Sequence, residues 1–196
     1  MKKLLLTITF AIFSTNVTAQ DFNKGLEAYK AGDYATALKE WKPLAEQGNA
    51  YAQANLGLMY NNGKGVLKDS IEAVKWYRLS AEQGNVGAQS NIGMSYFLGD
   101  GVLKDTTEAL KWFRMSAEQG DSNGQNWLGI MYNFGDGVLK DNSMAHMWYN
   151  IASANGNEST GESRDRLEDS MTPEDISKAT AMARECMNSD YKKCGY

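Results

Sequence analysis

The sequence predicts an all-α protein: a solenoid of about four stacked helix hairpins, closed by a C-terminal capping helix. Three observations carry that expectation. The chain repeats itself every 36 residues, apolar residues recur at helical spacing within each period, and capping residues stand where helices should start and stop. Gly65-Val66-Leu67-Lys68-Asp69 returns as Gly101-Val102-Leu103-Lys104-Asp105 and again as Gly137-Val138-Leu139-Lys140-Asp141. Ala45-Glu46-Gln47-Gly48-Asn49 returns as Ala81-Glu82-Gln83-Gly84-Asn85 and as Ala117-Glu118-Gln119-Gly120-Asp121. A degraded copy, Ser153-Ala154-Asn155-Gly156-Asn157, keeps the register, as do Trp76, Trp112 and Trp148. A fixed period of this size marks units that cannot cover their own apolar faces and stack to do so.

The elements of one unit follow in order. The first helix runs roughly from Asn49 to Tyr60, with Ala52, Leu56 and Tyr60 on one stripe. Gly57 lies beside that stripe and recurs as Gly93 and Gly129. A glycine inside a helix costs about 1 kcal/mol relative to alanine, so three in register imply close helix–helix approach. Gly63-Lys64-Gly65 and its two copies make the turn. The second helix starts at Asp69, with Glu72 three residues on; Asp105 and Glu108 repeat that capping spacing, whereas Asp141 is followed by Met144. Ala73, Tyr77 and Ser80 form the second stripe, and Gly84, Gly120 and Gly156 end the helices as left-handed caps. The Trp76, Trp112, Trp148 column is read as core or convex packing.

Composition narrows the function classes. The chain has 196 residues, 42% of them hydrophobic and 22% charged, which is a globular balance. A formal charge of −4 and a pI near 5.1 argue against binding nucleic acid or lying on anionic lipid, both of which need a basic surface. One histidine and two cysteines leave too few ligands for a zinc site, so neither metal nor cofactor is expected.

The first 19 residues read as an address. Lys2 and Lys3 precede a mostly apolar run from Leu4 to Phe13, and Val17-Thr18-Ala19 offers a processing site, so cleavage is expected between Ala19 and Gln20. The run is about half the ~20 residues needed to cross a bilayer. No later stretch spans one, so the mature chain is expected in the periplasm or outside the cell, as a monomer without an integral membrane segment.

The pattern A-x-x-x-[LI]-G-x-x-Y, then G-x-G-V-x-x-D, then A-x-x-W-[YF] and a closing glycine resembles the Sel1-like repeat, a relative of the tetratricopeptide repeat with a longer inter-helix loop. The resemblance covers 49–84, 85–120 and 121–156. A shorter unit at 21–48, with Gly25, Gly32-Asp33-Tyr34, Ala37 and Trp41, resembles the plain tetratricopeptide form and lacks the G-V-x-x-D loop. Gly124 replaces the first-helix alanine in the third copy, and Pro43 should bend or shorten the second helix of the first unit. The resemblance implies a right-handed α-α superhelix that mediates protein–protein contacts.

After Gly156 the period stops. Glu158 to Asp169 is polar, with Leu167 its one strongly apolar residue. Thr172-Pro173-Glu174-Asp175 then starts a helix whose stripe is Ile176, Ala179, Ala183 and Met187. Residues 157–196 are read as cap and tail. Cys186 and Cys194 are eight apart and, in an oxidising compartment, expected to form a disulfide that staples the tail to this helix. The pair partly resembles the helicobacter cysteine-rich proteins, a branch of the same family with such pairs in every unit.

Motifs that suggest catalysis are incomplete. The glycines from Gly57 to Gly65 miss the phosphate-loop spacing, and the loops around Asp100 and Asp136 offer too few oxygens for calcium. His146 stands alone. Ser189-Asp190-Tyr191-Lys192 fits S-x-x-K, but no K-T-G follows. The chain is therefore read as an exported, non-enzymatic scaffold for a protein or peptide. With tetratricopeptide geometry, Leu58, Met94 and Ile130 form one row on the groove side, and Asn62, Leu98 and Phe134 another, among Asn61, Asn126 and Asn133. The same stripe would also suit packing between neighbouring units. A second class, a weak hydrolase of cell-wall or β-lactam substrates, follows by analogy with the cysteine-rich branch.

Overall fold

The computed structural model describes residues 21–195; the expected leader and its Ala19–Gln20 cleavage point lie outside them. The described residues are helical throughout, without strands, and form four hairpins followed by two further helices. The hairpins are α1 (Phe22–Lys30) with α2 (Tyr34–Glu46), α3 (Ala50–Asn62) with α4 (Ser70–Glu82), α5 (Val86–Leu98) with α6 (Thr106–Ala117), and α7 (Ser122–Phe134) with α8 (Asn142–Ala154). Then come α9 (Thr160–Glu168) and α10 (Pro173–Asn188). Consecutive helices pack from α1 through to α9, and α10 lies on α8. The fold is an α solenoid.

The helix ends follow the sequence signals. Asp69, Asp105 and Asp141 cap α4, α6 and α8, each accepting a backbone N–H three residues on at 3.0 Å. Glu72 and Glu108 turn instead to Lys75 and Lys111, at 2.8 and 3.6 Å. Asn49, Asn85 and Asp121 cap the first helices in the same way. Pro43 does not shorten α2, which has the same 13 residues as α3 and α4. It sits so near the end that its own carbonyl still accepts from the Gln47 N–H, at 3.1 Å.

The in-register glycines have a definite task. A Cβ at Gly57 would stand 2.5 Å from the Tyr77 ring, and one at Gly93 would stand 2.8 Å from Phe113. Gly129 meets Tyr149 in the same way, and Gly25 meets Trp41. The close approach is thus between a ring on the second helix and the bare backbone of the first. Trp41, Tyr77, Phe113 and Tyr149 share the 36-residue register, so even the short first unit uses the device.

A ladder of amides ties each hairpin together and to the hairpin before it. Gln53, Gln89 and Gln125, all buried, donate to the carbonyls of Ala45, Ala81 and Ala117 at 3.0, 3.3 and 3.1 Å. Their own oxygens accept from Gln83, Gln119 and Asn155, each 30 residues on, at 2.7, 2.7 and 2.9 Å. Ser80 and Ser116 add bonds of the same reach, to the carbonyls of Ala50 and Val86. A buried donor or acceptor left unpaired costs about 1–3 kcal/mol. Gln89→Leu is therefore expected to lower stability by about 2 kcal/mol in urea unfolding, and Gln83→Leu, on the exposed side of its rung, by less than about 1 kcal/mol.

The C-terminal region holds one helix more than its pattern announces. α9 is almost wholly polar, but Leu167 and Thr160 are buried, and the Thr160 hydroxyl reaches Asn126 Oδ1 at 3.2 Å. His146, buried in α8, lies 2.7 Å from Glu168 Oε1 through Nε2 and 3.0 Å from Asn150 through Nδ1, which ties α9 to α8. The sulfurs of Cys186 and Cys194 stand at bonding distance, with Cα atoms 4.6 Å apart. The stapled tail places the Tyr191 hydroxyl 2.8 Å from Asn155 Nδ2, at the end of the amide ladder. A ring this short confers about 2 kcal/mol. Cys194→Ser is expected to cost that much and to speed hydrogen exchange across 189–195 while leaving α3–α6 protected.

Candidate functional site: the first-helix face

Helices α3, α5, α7 and α9 follow one another along one face, and depressions open between them. Between α3 and α5 lie two. One, of about 480 Å³, is lined by Leu58, Asn55 and Asn91. The other, of about 110 Å³, is lined by Asn61, Tyr77, Asn91, Met94, Leu98 and Asp100. A third, of about 450 Å³, opens between α7 and α9 and is lined by Ile130, Asn133, Phe134, Tyr149, Ser163 and Arg166.

The sequence-derived rows are spread over these depressions, not gathered in one. Leu58, Met94 and Ile130 are half-buried, and the last two also pack against the core. Leu98 and Phe134 are 60% and 70% exposed, and Asn62 is exposed on the last turn of α3. Asn126 is committed to Thr160.

The depressions at the two ends occupy equivalent positions in the repeat. Asn61, Tyr77, Asn91 and Met94 in the first correspond, 72 residues on, to Asn133, Tyr149, Ser163 and Arg166 in the second. At the junction between them, α5 to α7, the equivalent residues are Phe97, Phe113 and Trp127. Trp127 stacks on Phe113 at 5.4 Å and 7°, and lies 5.1 Å from Phe97. Aromatic rings therefore fill the middle junction, and half-buried Trp127 and Phe97 leave a ring wall between the two recesses. The 72-residue recurrence of Asn and Tyr was the available signal for this pairing.

Burial pushes the hydroxyls of Tyr77 and Tyr149 above the ordinary tyrosine range, and for Tyr149 the hydrogen bond with Asn133 and the nearby Arg166 charge pull the other way. Both remain protonated at neutral pH, and Tyr149 is a neutral hydrogen-bond partner of Asn133. Ser189, the serine of the S-x-x-K match, donates to the Cys186 carbonyl at 2.8 Å and accepts from the Lys193 N–H at 2.9 Å. Its hydroxyl finishes α10. Among the described residues no group of three or more His, Cys, Asp or Glu is placed to hold a metal ion.

The model of the Sel1 repeat matches residues 50–85, 86–121 and 122–157, more than half of the chain. The chain belongs to the Sel1 repeat family. Its three matched Sel1 units contain the hairpins α3–α4, α5–α6 and α7–α8. Among solved structures, a protective antigen present in uropathogenic Escherichia coli strains, displaying an SLR fold, is similar to it. That match has 40% identity and a TM-score of 0.68, over 73% of this chain and 32% of the other. A Sel1 repeat protein from Oxalobacter formigenes is similar at 36% identity and a TM-score of 0.68, over 72% of this chain and 57% of the other. This chain thus spans about a third and somewhat over half of those two Sel1 proteins. The curated proteins include no match.

Proposed function

We propose that this Sel1 protein is an exported, non-enzymatic scaffold that binds a protein or peptide along its first-helix face. The observation that carries the reading is the face itself. Leu98 and Phe134 project from it, Leu58, Met94 and Ile130 lie half-buried in it, and Asn55, Asn61, Asn91 and Asn133 stand between them. An apolar stripe set among amides suits an extended backbone, whose N–H and C=O groups the amides satisfy while its side chains enter the recesses. Membership of a repeat family that works through protein contacts supports the reading. So does the cysteine pair, which is compatible with an oxidising compartment outside the cytoplasm.

Crosslinking in the periplasmic fraction, followed by capture and mass spectrometry, tests it. Leu98→Asp/Phe134→Asp, which touches only exposed side chains, should remove captured partners while leaving the circular dichroism unchanged. Leu58→Asp/Met94→Asp/Ile130→Asp should do so more completely. Identical partner lists for wild type and both variants would exclude this face, and recovery of the protein from the cytoplasm alone would exclude export.

A further inference from the structure

We propose that the face takes an extended peptide by its C-terminus. The terminal carboxylate sits at Arg166, and the last, apolar side chain lies against Ile130 and Phe134. This deepens the scaffold reading and rests on it.

The first observation is where the track stops. α9 occupies the place of a first helix after α7, and α10 packs on α8, so among the described residues no helix continues the row beyond α9. The described row of recesses therefore ends on α9, beside Arg166. The second is charge. α9 carries two arginines with different commitments. Arg164 lies 2.7 Å from Asp165 and 3.7 Å from Glu168. Arg166 lines the recess, its Nε donating to the Glu162 carbonyl at 3.1 Å, and no described carboxylate forms an ion pair with it. The equivalent position in the α3–α5 recess is Met94, and the charged residue there is Asp100. The charged residue lining the first recess is thus an acid and the one lining the second a guanidinium, which favours a carboxylate at the α9 end.

The third observation is the mixture of chemistry in one recess. Ile130 and Phe134 form an apolar wall beside Arg166 and the Ser163 hydroxyl, within about 450 Å³. A C-terminal apolar residue presents a carboxylate and a hydrophobic side chain from the same carbon and satisfies both. An Asp or Glu side chain would leave the wall uncovered. Packed helices lie 8–10 Å apart, so the two equivalent recesses are about 20 Å apart. An extended chain covers that in about six residues, passing over Trp127.

The test uses one heptapeptide, acetyl-Leu-Ser-Ala-Ser-Ala-Ser-Leu, as the free acid and as the C-terminal amide. Each is titrated into the ¹⁵N-labelled full-length protein and followed by amide chemical shifts. The acid should shift resonances of α5, α7 and α9, and bind roughly five- to tenfold more tightly than the amide, as expected for a charge-assisted hydrogen bond at a partly exposed site. Arg166→Gln, at an exposed position, should abolish the difference and leave the spectrum otherwise intact. Equal affinities for acid and amide, with shifts on this face, would overturn the carboxylate assignment and leave the scaffold reading standing. Shifts elsewhere, or none with either peptide at several millimolar, would overturn both.

Discussion

Replacing Phe113 by alanine should cost about 3–5 kcal/mol, the largest loss of any single change at the middle junction. Phe113 is fully buried, packs against the bare backbone of Gly93 and stacks on the ring of Trp127. Removing it takes away the transfer energy of a large ring and leaves a void that neither neighbour fills. Gly93 has no side chain, and Trp127 is held from above by Phe97. Urea unfolding followed by circular dichroism measures the loss. Tryptophan emission adds an independent reading, since Trp127 loses its partner and should shift to longer wavelength. A loss below about 1 kcal/mol would mean that the ring is not a structural keystone at that junction.

Gly129→Val should cost about 3 kcal/mol, at the upper end of overpacking penalties. Any Cβ at this position runs into the Tyr149 ring, and valine adds two further methyl groups. Tyr149 cannot swing aside without leaving a core in which it is 1% exposed. The sign is the informative part. At an open helical site a glycine-to-alanine change gains up to about 1 kcal/mol from helix propensity. Gly87, in α5, is such a site, its nearest neighbour being Asn85 Oδ1 at 3.7 Å. Gly87→Ala should thus stabilise and Gly129→Val destabilise in the same thermal melt.

The architecture was legible because its causes are local and repeated. Caps at Asp69 and Asp105, closing glycines and stripes such as Ala52–Leu56 announce each helix, and three copies make the announcement redundant. The glycines at 57, 93 and 129 showed that something approaches closely, but a single chain does not say whether backbone or ring arrives. α9 was silent because its order comes from outside it: Leu167 and Thr160 enter a surface that α7 and α8 have already built. The amide ladder was hidden for a related reason. Gln53 and Gln83 look like ordinary polar residues until closure of the α3–α4 hairpin places one against the other. The face residues were legible as rows and not as recesses, since the middle junction replaces Asn, Tyr and Asn by Phe97, Phe113 and Trp127 and breaks the period where function would be sought.

Every rung joining Gln53 to Gln83, or Gln89 to Gln119, asks only that its partners keep a fixed separation along the chain. A gene that duplicated or lost one whole period would splice such a structure without leaving a torn seam. Tyr191 would still meet whichever amide came last. The length of the solenoid is therefore a quantity evolution can change in whole-number steps, at almost no structural risk.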